Sequence, residues 1–494
     1  MATLTNKVMS GGFWITGIKV TEKILNWVRL IILARILAPD DFGKMGIALL
    51  AMGLLETFSQ TGFNAALIQK KGKTKGFLAA AWTVSAIRGG LLAGGLFSLA
   101  PVCANFFGAG DAKFLIQIIA LSMLTRGLTN IKVIYYARNL RFKKQFFYIL
   151  SGSIVDFIVT IVLAIILVNP IALVIGLVAG SFTRMVMSYI IDPWMPRIEF
   201  DRKKIGVLFK FGKWILITNL ITYLLVQGDA IFVGRFMGSE NLGFYQMAFR
   251  FASLLSIQFA YVISEVTFPA YSKMQENIPR LKNAYFRVLK FTTLFSVPFA
   301  ALMFLFAKDF TRIMLGEKWL IMVPVLQVLS LGAVLRLNSE ITGVLFRGIG
   351  KPKIQTIISI IALLLIAIII YPMAYYFGIF GTALAVSCPF IIISIIEFII
   401  IRKILGARFK DFLRRLSPPV IATCCMSLIA LLLKIQIPMN LFTLILIGCV
   451  LIFSYCVFIL IYTKLDKTYL SEISKIDLEK ISFKMLQWRK KIWT

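Results

Sequence analysis

The segment from Gly12 to Leu37 is apolar enough to cross a bilayer, yet it carries Lys19, Glu22, Lys23 and Arg29, with Asn26 among them. At about 100° per residue these five fall within roughly a third of a helix circumference. A charge at the centre of a lipid-facing helix costs about 2.5–3.5 kcal/mol, so four would cost on the order of 10 kcal/mol. Each Leu or Ile returns only about 0.3–0.6 kcal/mol. The stripe is therefore expected to face a protein interior or a watery cavity, the setting of a transport path, and its excess of cations suits an anion. The alternative is purely local: ion pairs such as Glu22 with Lys23 or Lys19 would fix helix packing.

A shift of 200 residues places Asn219, Thr222 and Asp229 in register with Lys19, Glu22 and Arg29. Further charges in apolar surroundings are Glu56, Arg88, Arg126, Asp156, Arg184, Arg250, Glu265, Arg336 and Glu340. Lys19, Lys23, Arg29, Arg126 and Arg250 are the candidate cationic substrate-binding residues. Glu22, Glu56, Asp229, Glu265, Arg336 and Glu340 are the candidates for coupling or gating. Arg29 and Asp229, equivalent in place and opposite in charge, are expected to approach each other in one access state. Glu56, Gln60 and Asn64 form a second polar stripe, and Arg126 with Thr129 and Asn130 is a candidate cavity wall. Several of these have structural readings too: Arg336 and Glu340 are spaced to pair on their own helix, and Asp156 and Arg184 to pair as scaffold. Arg35 and Arg235 sit at helix ends, where Arg binds terminal carbonyls.

Catalytic and cofactor signals are missing. There is no histidine, so any proton coupling must use carboxylates. The six cysteines lie in or beside apolar stretches without metal spacing. Gly348-Ile349-Gly350-Lys351-Pro352 fails as a phosphate loop, because Leu345 stands where its spacing requires Gly and Pro352 replaces Ser or Thr. The expectation is a protein that is not an enzyme and has no cofactor or metal.

The elements that must position these residues are helices. The chain has 494 residues, is 59% hydrophobic and has mean hydropathy +0.87, the composition of an all-α polytopic membrane protein. About fourteen spans are legible, at 9–37, 42–67, 78–104, 112–137, 146–168, 171–192, 212–237, 242–268, 285–307, 320–346, 354–376, 379–401, 417–434 and 441–463. The net charge of +32 would suit nucleic acid, but 36 of the 54 Lys and Arg fall in every second gap between spans. That alternation is the positive-inside pattern. It excludes nucleic acid as the partner and puts both termini in the cytoplasm. The expected organisation is 1–194 as an N-terminal six-helix lobe, 195–211 as a basic cytoplasmic linker and 212–402 as a second six-helix lobe. Two further helices occupy 403–463, and 464–494 is a basic cytoplasmic tail.

The two lobes read as a parallel repeat. Gly12, Trp14 and Ile15 align with Gly212, Trp214 and Ile215; Arg35, Asp40, Gly43 and Ala48 align with Arg235, Glu240, Gly243 and Ala248.

Taken in order, Ala34-Arg35-Ile36-Leu37 with Phe42-Gly43, Thr267-Phe268-Pro269-Ala270-Tyr271-Ser272-Lys273-Met274-Gln275, Leu315-Gly316-Glu317-Lys318-Trp319, Pro324-Val325-Leu326-Gln327 and Gly348 to Pro352 resemble the multidrug/oligosaccharidyl-lipid/polysaccharide flippase superfamily. The similarity is greatest to its polysaccharide-exporter branch, the Wzx-type flippases, and within that to colanic acid exporters. The resemblance implies a V-shaped, two-lobed helical transporter in the bacterial cytoplasmic membrane. It implies translocation of undecaprenyl-pyrophosphate-linked oligosaccharide repeat units by ion-coupled alternating access, with Lys19, Lys23 and Arg29 holding the pyrophosphate. Polysaccharide polymerase and glycosyltransferase partners follow from the same pathway. A peptidoglycan-precursor (lipid II-type) flippase and a multidrug antiporter of the MATE type are the alternatives; the antiporter would want an acidic, aromatic-lined cavity.

Overall fold

The computed structural model describes residues 2–59, 78–133, 135–136, 141–199, 212–436 and 438–465. The gap between the spans expected at 42–67 and 78–104, most of the basic linker (200–211), the polar residues Gln60 and Asn64, and the basic tail from 466 onward lie outside the described residues. Among the described residues every regular element is helical. The α-helices are α1 (Ala2–Ile36), α2 (Pro39–Ser59), α3 (Leu78–Phe106), α4 (Ala112–Gly127), α5 (Phe142–Leu167), α6 (Ile171–Ile191), α7 (Gly212–Ala252), α8 (Leu254–Met274), α9 (Ile278–Leu305), α10 (Ala307–Met314), α11 (Val323–Gly348), α12 (Pro352–Ser387), α13 (Pro389–Leu405), α14 (Phe409–Gln436) and α15 (Leu441–Leu465).

Two helices are broken by a glycine with positive φ. Gly238 (φ 88°) interrupts α7 and Gly378 (φ 59°) interrupts α12. Only glycine adopts such angles without strain. The gaps expected around 238–240 and 377–378 are thus reversals made by one residue. Split there, residues 239–252 with α8 form one crossing and 379–387 with α13 another. Apart from the eight-residue α10, fourteen helical segments remain among the described residues, in the predicted order, and ten stretches are long and apolar enough to cross a membrane. This is a multi-pass membrane protein. α1 is among the segments that length and composition leave out, because of its four charges.

The chain divides into two compact units, Met1–Gln246 and Met247–Thr494. In the first, α5 pairs with α6 and α3 with α4; α1 lies on α5, α4 on α6 and α2 on α4. Small residues set these approaches. A Cβ on Gly89 would stand 2.7 Å from Gly127 Cα, so α3 and α4 touch backbone to backbone. The first part of α7 belongs to this unit because it packs on α2: Tyr223 Oη donates to Leu50 O at 2.7 Å. In the second unit α11 is central, packed by α8, α9, α12 and α13. Buried Tyr285, Phe286, Trp319 and Phe346 fill its core. α14 packs on α9 and α15 on α14, around Phe306, Met426, Ile447 and Leu451.

Candidate functional site

The polar face of α1 meets α5 and α6 inside the first unit. Arg29 forms an ion pair with Asp156 of α5, whose Oδ1 also accepts from Thr160 Oγ1 at 3.1 Å. Glu22 lies 3.9 Å from the Arg184 guanidinium of α6 and accepts from Ser153 Oγ at 3.2 Å. Arg184 in turn donates to Ser153 Oγ at 2.9 Å. Glycines make room for this network. A Cβ on Gly152 would fall 2.6 Å from Gly180 O, and one on Gly180 would fall 2.7 Å from Asp156 Cβ. The arrangement corrects two sequence readings. Glu22 pairs with Arg184 rather than with Lys19 or Lys23. Asp156 and Arg184 each turn to α1 instead of forming a scaffold pair with one another, because α1 packs along α5 and brings opposite charges closer to both. Lys19 is exposed on this face and Lys23 half-buried.

A third ion pair joins α2 and α4. Arg126 Nη1 is 2.7 Å from Glu56 Oε1, with 46% and 29% of the side chains exposed. Arg88 on α3 donates to Ser59 Oγ at 2.7 and 3.1 Å. Asn130, near Arg126 in the sequence, is buried. Its side chain donates to the carbonyls of Ser188 and Asp192 at 3.2 and 2.8 Å, tying the end of α4 to the end of α6.

On α7, Asp229 is buried and accepts from Tyr245 Oη at 2.7 Å and from Ala230 N at 2.8 Å. Arg29 is engaged with Asp156, so the expected Arg29–Asp229 approach is not formed in this conformation. The residues that do meet between the repeats are those that mark the 200-residue register. The start of α2 packs against 238–246 of α7. Ser239 Oγ donates to Asp40, a Cβ on Gly43 would lie 3.0 Å from Ser239 Cα, and one on Gly243 would lie 3.2 Å from Gly43 N. A Cβ on Gly46 would meet Gln246 Oε1 at 2.5 Å. Lys44 braces the junction through Asp40 and Asp111, at 3.0 and 3.1 Å. Sequence reasoning used these glycines only to align the halves; their identical placement at two helix starts was the signal that they touch.

In the second unit Arg250 lies exposed near the end of α7, Glu265 is exposed on α8 and Glu340 is exposed on α11. The Arg336 guanidinium lies over the rings of Phe249 and Phe390, at 5.8 and 5.9 Å. Glu397 escaped the sequence reading. It is 4% exposed, the lone carboxylate of Ile-rich α13, and accepts from Ser339 Oγ at 2.6 Å.

A family model described as "Polysaccharide biosynthesis protein" matches residues 32–324, more than half of the chain. The chain belongs to this family. It is 24% identical to the teichuronic acid biosynthesis protein TuaB of Bacillus subtilis over 87% of this chain and 89% of that protein. It is 22% identical to the lipopolysaccharide biosynthesis protein WzxC of Escherichia coli over 84% of this chain and 85% of that one. Among solved structures, the lipid II flippase MurJ in an inward closed conformation matches with TM-score 0.73 at 20% identity, covering 91% of this chain and 98% of MurJ. An inward-facing multidrug transporter of the MATE family matches with TM-score 0.61 at 16% identity, covering 78% of this chain and 94% of that one. At these identities the two likenesses establish the shared fold. In this member of the polysaccharide biosynthesis family, the membrane part of the first unit holds Lys19, Lys23, Arg29, Arg88, Arg126 and Arg184 against Glu22, Glu56, Asp156 and Asp229.

Proposed function

We propose that the protein is a flippase that moves lipid-linked oligosaccharide repeat units from the cytoplasmic to the outer leaflet of the bacterial cytoplasmic membrane, with both termini in the cytoplasm. The excess of cations over carboxylates in the first unit carries this reading. Ion pairing engages Arg29, Arg126 and Arg184, and the set of six cations and four carboxylates stays net positive. A desolvated site with surplus positive charge stabilises a pyrophosphate strongly, since charge-assisted hydrogen bonds are about twice as strong as neutral ones. Polar walls suit sugars, and the polyprenyl tail stays in lipid. A multidrug antiporter for cations would need the opposite sign of field.

The family and the relatives named for polysaccharide pathways support the same substrate class. The α2–α7 junction at Gly43 and Gly243 is read as the closure of the outer end, in line with alternating access. The test is lipid analysis of a deletion strain. An undecaprenyl-linked oligosaccharide should accumulate on the cytoplasmic leaflet and clear when the gene is restored. Accumulation of the peptidoglycan precursor alone would move the reading to that substrate, and an unchanged lipid profile would end it.

A further inference from the structure

We propose that Glu397 is a proton carrier through which the transmembrane proton gradient drives transport; this rests on the transporter reading above. α13 presents one carboxylate in a run of Ile and Phe, and that carboxylate is buried against α11. An ionised carboxylate in such surroundings is strongly disfavoured unless a cation faces it. Among the described residues no Lys or Arg lies within ion-pair distance of Glu397. The titratable groups that act on it from the packed elements are Glu340 of α11 and Tyr285 of α9, neither of which supplies positive charge; Lys290 of α9 is buried too, but forms no ion pair with Glu397. Arg336, one turn before Glu340, lies over Phe249 and Phe390.

The surrounding polar layer is short of donors. Thr342 Oγ1 donates to Asn338 O at 3.0 Å, so its 3.1 Å contact with Tyr285 uses the tyrosine proton. Asn338 Oδ1 and Gln355 Oε1 are buried without a hydrogen-bond partner. Asn338 neighbours Ser339 on α11, and Gln355 lies against Gly343 one turn further along. A proton on Glu397 removes the buried charge. The next residue after Ser339, Glu340, is exposed. An exposed acid beside a buried one forms a relay: Glu340 exchanges a proton with water, and Glu397 holds it while the α11–α13 contact is closed. No bond other than O–H forms or breaks, and the proton leaves to water when that contact opens to the opposite side.

Other carboxylates in the membrane are placed differently. Glu22, Glu56 and Asp156 face arginines, Asp229 accepts two hydrogen bonds, and Glu265 is exposed.

Two measurements on the purified full chain in liposomes test the assignment. Infrared difference spectroscopy over a pH titration should show a protonated-carboxyl band that belongs to Glu397. The band should vanish in Glu397→Gln and survive in Glu340→Gln; identical spectra for Glu397→Gln and wild type overturn the proposal. In the second arm, flipping of an undecaprenyl-pyrophosphate oligosaccharide is followed with and without an imposed gradient. One pH unit should change the wild-type transmembrane distribution ratio about tenfold, for one proton per cycle. The Glu397→Gln ratio should not respond. A wild type that flips with no response to the gradient overturns the coupling role. A wild type that flips nothing overturns the flippase reading and with it the coupling role, while the infrared arm still reports separately whether Glu397 holds a proton.

Discussion

Replacing Arg29 separates its two roles, as partner of Asp156 and as ligand for phosphate. The two side chains are 24% and 18% exposed, so the pair is roughly four-fifths buried. Breaking a fully buried pair costs about 3–5 kcal/mol because a charge is stranded, whereas exposed pairs are worth about 0–1 kcal/mol. Arg29→Ala leaves Asp156 with the hydroxyl of Thr160 as its remaining side-chain hydrogen-bond partner. The expected loss is therefore about 2–3 kcal/mol, intermediate between those limits. In a unit of this size that corresponds to a fall in melting temperature of about 4–12 °C. Asp156→Asn on the Arg29→Ala background removes the stranded charge and should restore most of that stability, with a coupling of at least about 1 kcal/mol in the double-mutant cycle. Export should behave otherwise. If Arg29 also holds pyrophosphate, the double variant still lacks a contact worth about 1.5–3 kcal/mol and stays roughly ten- to hundredfold impaired. The assays are thermal unfolding of the purified variants and polysaccharide export in a deletion strain. Recovery of export along with stability would make Arg29 a scaffold residue only, and additive stability losses would mean that the pair contributes nothing.

Lys19→Ala and Lys23→Ala should each lower export about tenfold or more, through loss of a charge-assisted contact, while melting temperatures stay near wild type; normal export by the double variant would remove these lysines from the substrate path. Gly243→Val places side-chain atoms against the Pro39 carbonyl and Gly43, so the α2–α7 junction should open. A cysteine at Ser239 should then react faster with a membrane-impermeant maleimide, and unchanged labelling would show that the junction does not close the outer end. Glu56→Lys with Arg126→Glu should be close to neutral, because that pair is too exposed to be worth more than about 1 kcal/mol. Export assays of the swap check this, and severe loss would place the residues in direct contact with substrate. Reporters fused at 38–41, 238–241 and 436–440 should read external and those at 402–408 cytoplasmic; any one on the other side breaks the fourteen-span scheme.

The sequence by itself determined everything that depends on local chemistry. Apolar runs of bilayer length specify spans, because in lipid every backbone group must bond within its own helix. Gly238 and Gly378 mark the reversals, because positive φ is open to glycine. The periodicity of α1 specifies that Lys19, Glu22, Lys23 and Arg29 share a face. Which helix that face meets was decided by tertiary structure. Arg29 found Asp156 and Glu22 found Arg184, partners more than a hundred residues away, because Gly152 and Gly180 let α5 and α6 approach closely enough to bring both charges to α1. The same kind of long-range contact makes Asn130 a clasp between α4 and α6. It turned the repeat markers Gly43 and Gly243 into a contact. Glu397 was the hardest to read, since a single acid in an isoleucine-rich helix has no periodic signature. Its meaning comes from Ser339 beside it and, among the described residues, the lack of a cation within ion-pair distance, which only the packing of α11 on α13 specifies.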